Sequence, residues 1–182
     1  MHNYATTPGL TGKALLACPD MDDPNFERSV VYLLAHSPAG AMGVVLNRPT
    51  TVTADNLDDP LTAWLTIAAR PRLLFDGGPV ETDGIIGLVA DRANHEIGVS
   101  SLDFSLPIDH SLSGVVRMFR GYSGWAPGQL DFELFQDGWF VVDSSADDVF
   151  DDDPQTLWRR IIARQIDEVN TLALYPDDPD LN

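Results

Sequence analysis

The sequence reads as a single α+β domain. Short apolar segments with strand character dominate it. The helical segments interrupt them at irregular intervals rather than alternating with them as in a βαβ array. The best-defined pair of strands is an antiparallel hairpin. A chain of 182 residues fits one domain with its own core, and 44% hydrophobic with 21% charged residues is a globular composition. The expected domain spans 1–182, with 1–11 and 177–182 frayed.

Lys13 to Cys18 is the first short apolar run and is expected to be a strand. Asp23 followed by Pro24 supplies an N-cap and a first helical position, enough for about one turn. In Ser29 to His36 both alternating sets, Val30/Tyr32/Leu34 and Val31/Leu33/Ala35, are apolar, so this strand is expected to be covered on both faces. Ser37-Pro38-Ala39-Gly40 has type I turn chemistry with a following glycine, and Ala41 to Asn47 returns antiparallel.

Leu57, Leu61, Trp64, Leu65 and Ala68 have helical spacing, predicting one helix over 55–69 that ends before Pro71. Arg72 to Phe75 is expected to be a strand that stops at Gly77-Gly78-Pro79. Further strands are expected over 85–90, 97–102 and 115–122, the last leading into a glycine-rich loop that seats Trp125. Pro127 is expected to start a helix through Gln136, and Trp139 to Val142 to form a strand. Asp153-Pro154 is expected to open a final helix with Trp158, Ile162 and Ile166 on one face.

The charge narrows the function. With 28 Asp and Glu against 11 Lys and Arg, the formal charge is −17. Such a surface repels phosphate backbones and anionic membranes, and it offers few cations for counterion release. Arg159, Arg160 and Arg164 share one short segment that otherwise reads as an amphipathic helix, so direct nucleic-acid binding is disfavoured. Cys18 is the only cysteine, which excludes an intramolecular disulfide and fits a reducing compartment. Ala14 to Ala17 is too short for the apolar core of a signal peptide, and no run approaches the ~20 residues of a membrane span. The expectation is a cytoplasmic protein without membrane contact.

The hairpin has a geometric consequence. With Pro38 and Ala39 at its turn, Ser29 and Val30 lie opposite 47–49, so Arg28, Ser29, Asn47 and Arg48 gather at its open end. Two guanidiniums and two neutral hydrogen-bonding groups there suit a carboxylate or phosphate. The commoner use of such arginines is to pair with aspartates and pin the strand ends. His36 sits at the other end of the strand, about 20 Å from Ser29 at about 3.3 Å per residue, too far for a dyad and placed to bond loop backbone.

Gly77 and Gly78 after a strand offer backbone N–H groups to an anion, or simply permit close backbone packing. Gly121-Tyr122-Ser123-Gly124 is one residue short of a nucleophile elbow. The acidic run from Asp147 to Asp153 lacks the glycine and glutamate of a calcium loop and is better read as helix capping. His2, His36, His95 and His110 show no metal-ligand spacing. Cys18 reads as a small buried hydrophobe. No cofactor is implied.

Three segments together resemble the YqgE/AlgH family over about 12–164. They are 23–31, running on through Gly40-Ala41-Met42-Gly43 to Asn47-Arg48-Pro49; Gly77-Gly78-Pro79-Val80; and 121–130. Two positions depart from the family pattern, Ala126 where Gly is usual and Cys18 where Met or Ser is usual. The resemblance implies an α+β fold whose bifurcated sheet closes into a pseudo-barrel, in a cytosolic protein. Family members carry the label of transcriptional regulators, drawn from genetics rather than from DNA contact. The family's recurrent polar positions fall on Arg28, Ser29, His36, Asn47 and Arg48. The reading is therefore a non-catalytic regulatory or binding protein acting through a small anionic ligand or a protein partner, with Arg28, Ser29, Asn47, Arg48, Gly77 and Gly78 as ligand-binding residues. The alternatives are an enzyme on a phosphorylated or carboxylated metabolite and a direct DNA-binding regulator.

Overall fold

The apolar run after Ser29 forms the centre of one arm of the sheet. In the computed structural model, which describes residues 9–91 and 98–165, this strand is β2 (Val30–Ser37). It lies between β1 (Ala14–Ala17) and β3 (Gly40–Val45), antiparallel to both, with Ser37 opposite Gly40 at the expected two-residue turn. The remaining strands are β4 (Phe75–Asp76), β5 (Val80–Ala90), β6 (Val99–Ser101), β7 (Val116–Trp125) and β8 (Trp139–Val142). Four α-helices lie among the described residues: α1 (Leu61–Ile67), α2 (Gln129–Phe135), α3 (Ala146–Val149) and α4 (Leu157–Ala163). None is long and apolar enough to cross a membrane.

The sheet order is β6-β5-β7-β3-β2-β1-β8. The long β7 is the fork. Residues 116–122 pair with β5, Phe119 and Arg120 pair in parallel with β4, and Ser123 to Trp125 pair with β3. All the other strand pairings are antiparallel.

Three apolar clusters follow from the strand period of two. Val30 and Tyr32 join the central cluster, and Val31 and Leu33 join the one behind it, so β2 is covered on both faces as expected. The central cluster is filled from the helical side by Val149, Leu157, Trp158, Ile161 and Ile162. Leu130 of α2 covers the back of the β1–β2–β3–β8 arm, and Trp64, Leu65 and Ile67 of α1 cover the back of the β5–β7 arm. Burying a side chain of this size is worth about 1.5–3 kcal/mol, so the helices are held by their apolar faces and not by their length.

The sheet is not closed by hydrogen bonds. Its end strands β6 and β8 do not pair with each other, although Val99 and Val142 from those two ends share the central cluster.

Several local expectations are corrected. The helix expected over 55–69 is a short 3-10 turn at Ala54–Asn56 followed by α1, because Pro60 has no N–H to donate and its ring blocks the preceding helical turn. The strand expected over 72–75 is only Phe75–Asp76. The glycine-rich loop is instead the last part of β7. Gly121, at φ 64, turns the strand locally without ending it. The strand expected from Ile85 starts at Val80, with a register shift between Val80 and Ile85. The acidic run contains α3, capped by Ser145 and Asp148. The helices expected from Pro127 and Pro154 begin at Gln129 and Leu157. The expected positions of Ile97, Ile166, His2, His95 and the acidic tail from Asp177 lie outside the described residues.

Candidate functional site

The turn after Asp23 is built from its own backbone. The Asp23 carbonyl accepts from the N–H groups of Phe26 and Glu27, each at 2.9 Å, and its carboxylate accepts the N–H of Asn25 at 2.9 Å. Arg28 closes the turn at φ 50, the left-handed region. A turn of this kind leaves carbonyls without partners. Arg48, just past β3, satisfies two of them. Its Nη1 donates to Pro24 O at 3.3 Å and its Nη2 to Glu27 O at 2.9 Å.

Asn47 ties the same elements together. Its Oδ1 accepts the Val30 N–H at 2.9 Å and its Nδ2 donates to Arg28 O at 2.8 Å. Ser29 is fully buried beneath them, and its Oγ has no hydrogen-bond partner. The Arg28 guanidinium turns toward Trp158, 5.5 Å from the ring centroid. The hairpin thus gathers the four residues as its register implies. Asn47 acts on backbone, and Arg48 lines an open cavity whose lining does not include Arg28.

Gly77 and Gly78 are pressed against β7. The Gly77 carbonyl accepts from Val45 N at 3.0 Å and Ser123 Oγ at 3.1 Å, and its N–H donates to Arg120 O at 2.8 Å. Gly78 has φ 147, and a Cβ there would lie 2.4 Å from the Tyr122 carbonyl carbon. Close backbone approach demands both glycines.

These segments meet around a cavity of about 210 Å³ lined by Asn25, Val45, Arg48, Asp76, Gly78, Pro79 and Thr82. Asp76 is ion-paired with Arg120, which neutralises it. Arg48 makes no ion pair among the described residues, and it uses only two of its five N–H donors on carbonyls. The local balance is therefore one positive charge in a chain of −17. The volume is below the range of about 300–1,000 Å³ that holds drug-sized ligands, and it suits a phosphate or carboxylate group. Sequence reasoning found Arg48 and Gly78. It did not single out Asn25, which the Asp23 turn presents, or Asp76 and Thr82, which arrive through the pairing of β4 with β7 and the early start of β5.

Other singled-out residues resolve individually. His36 Nδ1 accepts the Leu10 N–H at 3.1 Å, the loop-backbone role expected of it. Ser123 is buried within β7 rather than on a strand-to-helix turn, and its Oγ donates to the Gly77 carbonyl. Burial, aided by Asp20 and Asp137, pushes the Cys18 thiol up to about 11. Arg160 and Arg164 each grip a carboxylate with two nitrogens, on Asp151 and Asp148 respectively.

The sequence profile of the AlgH-like family matches residues 14–170. A protein of Streptomyces avermitilis designated UPF0301 is 39% identical over 196 aligned positions, covering all of both chains. One of Thermobifida fusca is 37% identical over 192, covering 95% of this chain and 96% of that one. Among solved structures, DIP2367 of Corynebacterium diphtheriae superposes with a TM-score of 0.79 at 24% identity, over 95% of this chain and 94% of that one, a likeness of fold alone. The solution structure of AlgH from Pseudomonas aeruginosa, also designated UPF0301, gives 0.66 at 26% identity, over 98% of this chain and all of that one. The chain therefore belongs to the AlgH-like, UPF0301 family, whose designation assigns no biochemical role.

Proposed function

We propose that the protein is a cytoplasmic, non-catalytic binding protein that takes up a small anion, a phosphate or carboxylate group, at the Arg48 cavity. One observation carries the reading: a guanidinium without a carboxylate partner faces a small cavity, beside a neutralised Asp76, in a chain otherwise dominated by acid. Asn25, Thr82 and the backbone at Gly78 add neutral groups around the same space. In this reading the sheet acts as a pseudo-barrel completed by α3 and α4 rather than by strand pairing, and Asn47 and the glycine pair hold the cavity wall. Catalysis by a serine nucleophile would need a base beside its hydroxyl. The Ser123 hydroxyl is instead bound to the Gly77 carbonyl.

The test is a thermal-shift screen with inorganic phosphate, a nucleoside monophosphate and a dicarboxylate. A one-site ligand at about 100 times its Kd stabilises the folded state by about 2.7 kcal/mol. Thr82→Glu places a negative charge on the exposed rim without touching the Arg48 strap, and Arg48→Gln removes the cation. A shift in wild type that both variants lose supports the reading. No shift from any compound, or one that persists in both variants, overturns it.

A further inference from the structure

We propose that the α2 face bearing Phe132 and Phe135, with the groove beside it, docks a positively charged segment of a partner protein. Large exposed apolar side chains are few among the described residues. Phe132 and Phe135, at 64% and 80% exposed, stand one helical turn apart and project together. Phe132 also lines a cavity of about 310 Å³ with Phe26, Trp125, Glu133 and Trp139. A second cavity of about 440 Å³ adjoins it through Met21, Gln136 and Gly138. Two protruding rings beside an aromatic-walled groove have the form of interface anchors next to pockets.

The charge of the groove selects the occupant. Its lining carries the carboxylates of Asp23 and Glu133 in one cavity and Asp20 and Asp137 in the other, and no lysine or arginine. Glu133 is held rigidly. Its Oε2 accepts the indole N–H groups of Trp125 and Trp139, each at 2.8 Å, and its Oε1 accepts Gln129 Nε2 at 2.9 Å. Those three donors are neutral and fill three of about four acceptor sites, so the negative charge stays uncompensated and fixed in direction. A second copy of this chain would bring the same acidic rim, and a nucleic acid or an anionic membrane would be repelled. A segment presenting Lys or Arg beside an aromatic or aliphatic residue satisfies both the rings and the carboxylates.

The test is selection of random displayed peptides on the immobilised full chain, followed by anisotropy titration of the synthesised consensus. The expected consensus places Lys or Arg next to an apolar residue. The expected affinity falls between about 50 and about 300 mM NaCl. Phe132→Ser/Phe135→Ser, which alters only exposed positions, should weaken it at least about tenfold with the unfolding midpoint retained, while Leu106→Ser, at an exposed apolar position outside the groove, should leave it unchanged. Absence of enrichment, an acidic or uncharged consensus, or affinity indifferent to the double variant would overturn the proposal. So would self-association of the wild type that the double variant abolishes, since the occupant would then be a second copy.

Discussion

Asn47 and Ser29 sit side by side at the open end of the hairpin and make opposite predictions. Asn47 satisfies one backbone N–H and one carbonyl across the hairpin. Asn47→Ala should cost about 2–4 kcal/mol, since each of the two part-buried groups left unpaired is worth the lower part of about 1–3 kcal/mol. Ser29→Ala removes a buried hydroxyl that bonds to nothing, and stability should hold or rise by about 0.5–1 kcal/mol. Urea unfolding of both variants checks the pair, and a large loss at Ser29 would contradict it. Cys18 gives a pH dependence. Its folded-state thiol titrates near 11 against 9.0 when unperturbed, so between those values the folded state holds a proton that the unfolded state has lost. Stability from this group is intact below about pH 9 and falls as pH rises toward about 11. Wild type should therefore lose stability more steeply than Cys18→Ala across that window, as read by urea midpoints at stepped pH.

At the level of strands and helices, two glycines separate conformational strain from close contact. Gly78 and Gly128 both have positive φ, but a Cβ at Gly78 meets β7 backbone while one at Gly128 meets nothing within 4 Å. Gly128→Ala should cost about 1–2 kcal/mol for left-handed strain alone. Gly78→Ala should cost at least about 3 kcal/mol, because its φ is nearly glycine-only and backbone must also move. Equal losses in thermal melts would refute the distinction. The same contrast shows what the residue order revealed. The hairpin was legible because Val30 to Leu34 is apolar on both alternations and Pro38–Gly40 can only turn. Arg48 and Gly78 were legible as a guanidinium at a strand end and a glycine pair after a strand. Their convergence was not, since it depends on the two-residue β4 lying between β7 and the chain just past β3. There Asp76 N–H donates to Arg48 O and Val45 N–H to Gly77 O, pairings too short to leave a sequence signal. The continuation of β7 through Gly121 was missed because a glycine inside a strand looks like a loop until the facing backbone of Gly78 is seen. Glu133 reads as an exposed helical acid until β7 and β8 bring both indoles onto it.

Across the folded chain, the dominant facts are the forked antiparallel sheet and the charge. Val99 and Val142 come from opposite ends of the strand order and belong to one apolar cluster, which Val149 of α3 and Leu157, Trp158, Ile161 and Ile162 of α4 also fill. At −17 the folded state repels itself, and the repulsion is screened over about 10 Å at about 0.1 M salt. Raising NaCl from about 0.01 to about 0.15 M should therefore raise the melting temperature. A flat or falling trend would mean that local ion pairs such as Arg164–Asp148 outweigh the net repulsion. The same field makes an uncompensated cation conspicuous, and Arg48 is where anion binding should appear. The decisive measurement is a two-dimensional amide and arginine-Nε chemical-shift titration of the full chain with inorganic phosphate and a nucleoside monophosphate. Saturable shifts confined to Asn25, Arg48, Gly78 and Thr82, absent in Thr82→Glu, are the predicted result. Saturable shifts centred elsewhere, or none up to about 10 mM ligand, weaker than the roughly millimolar affinity worth about 4 kcal/mol, would contradict it.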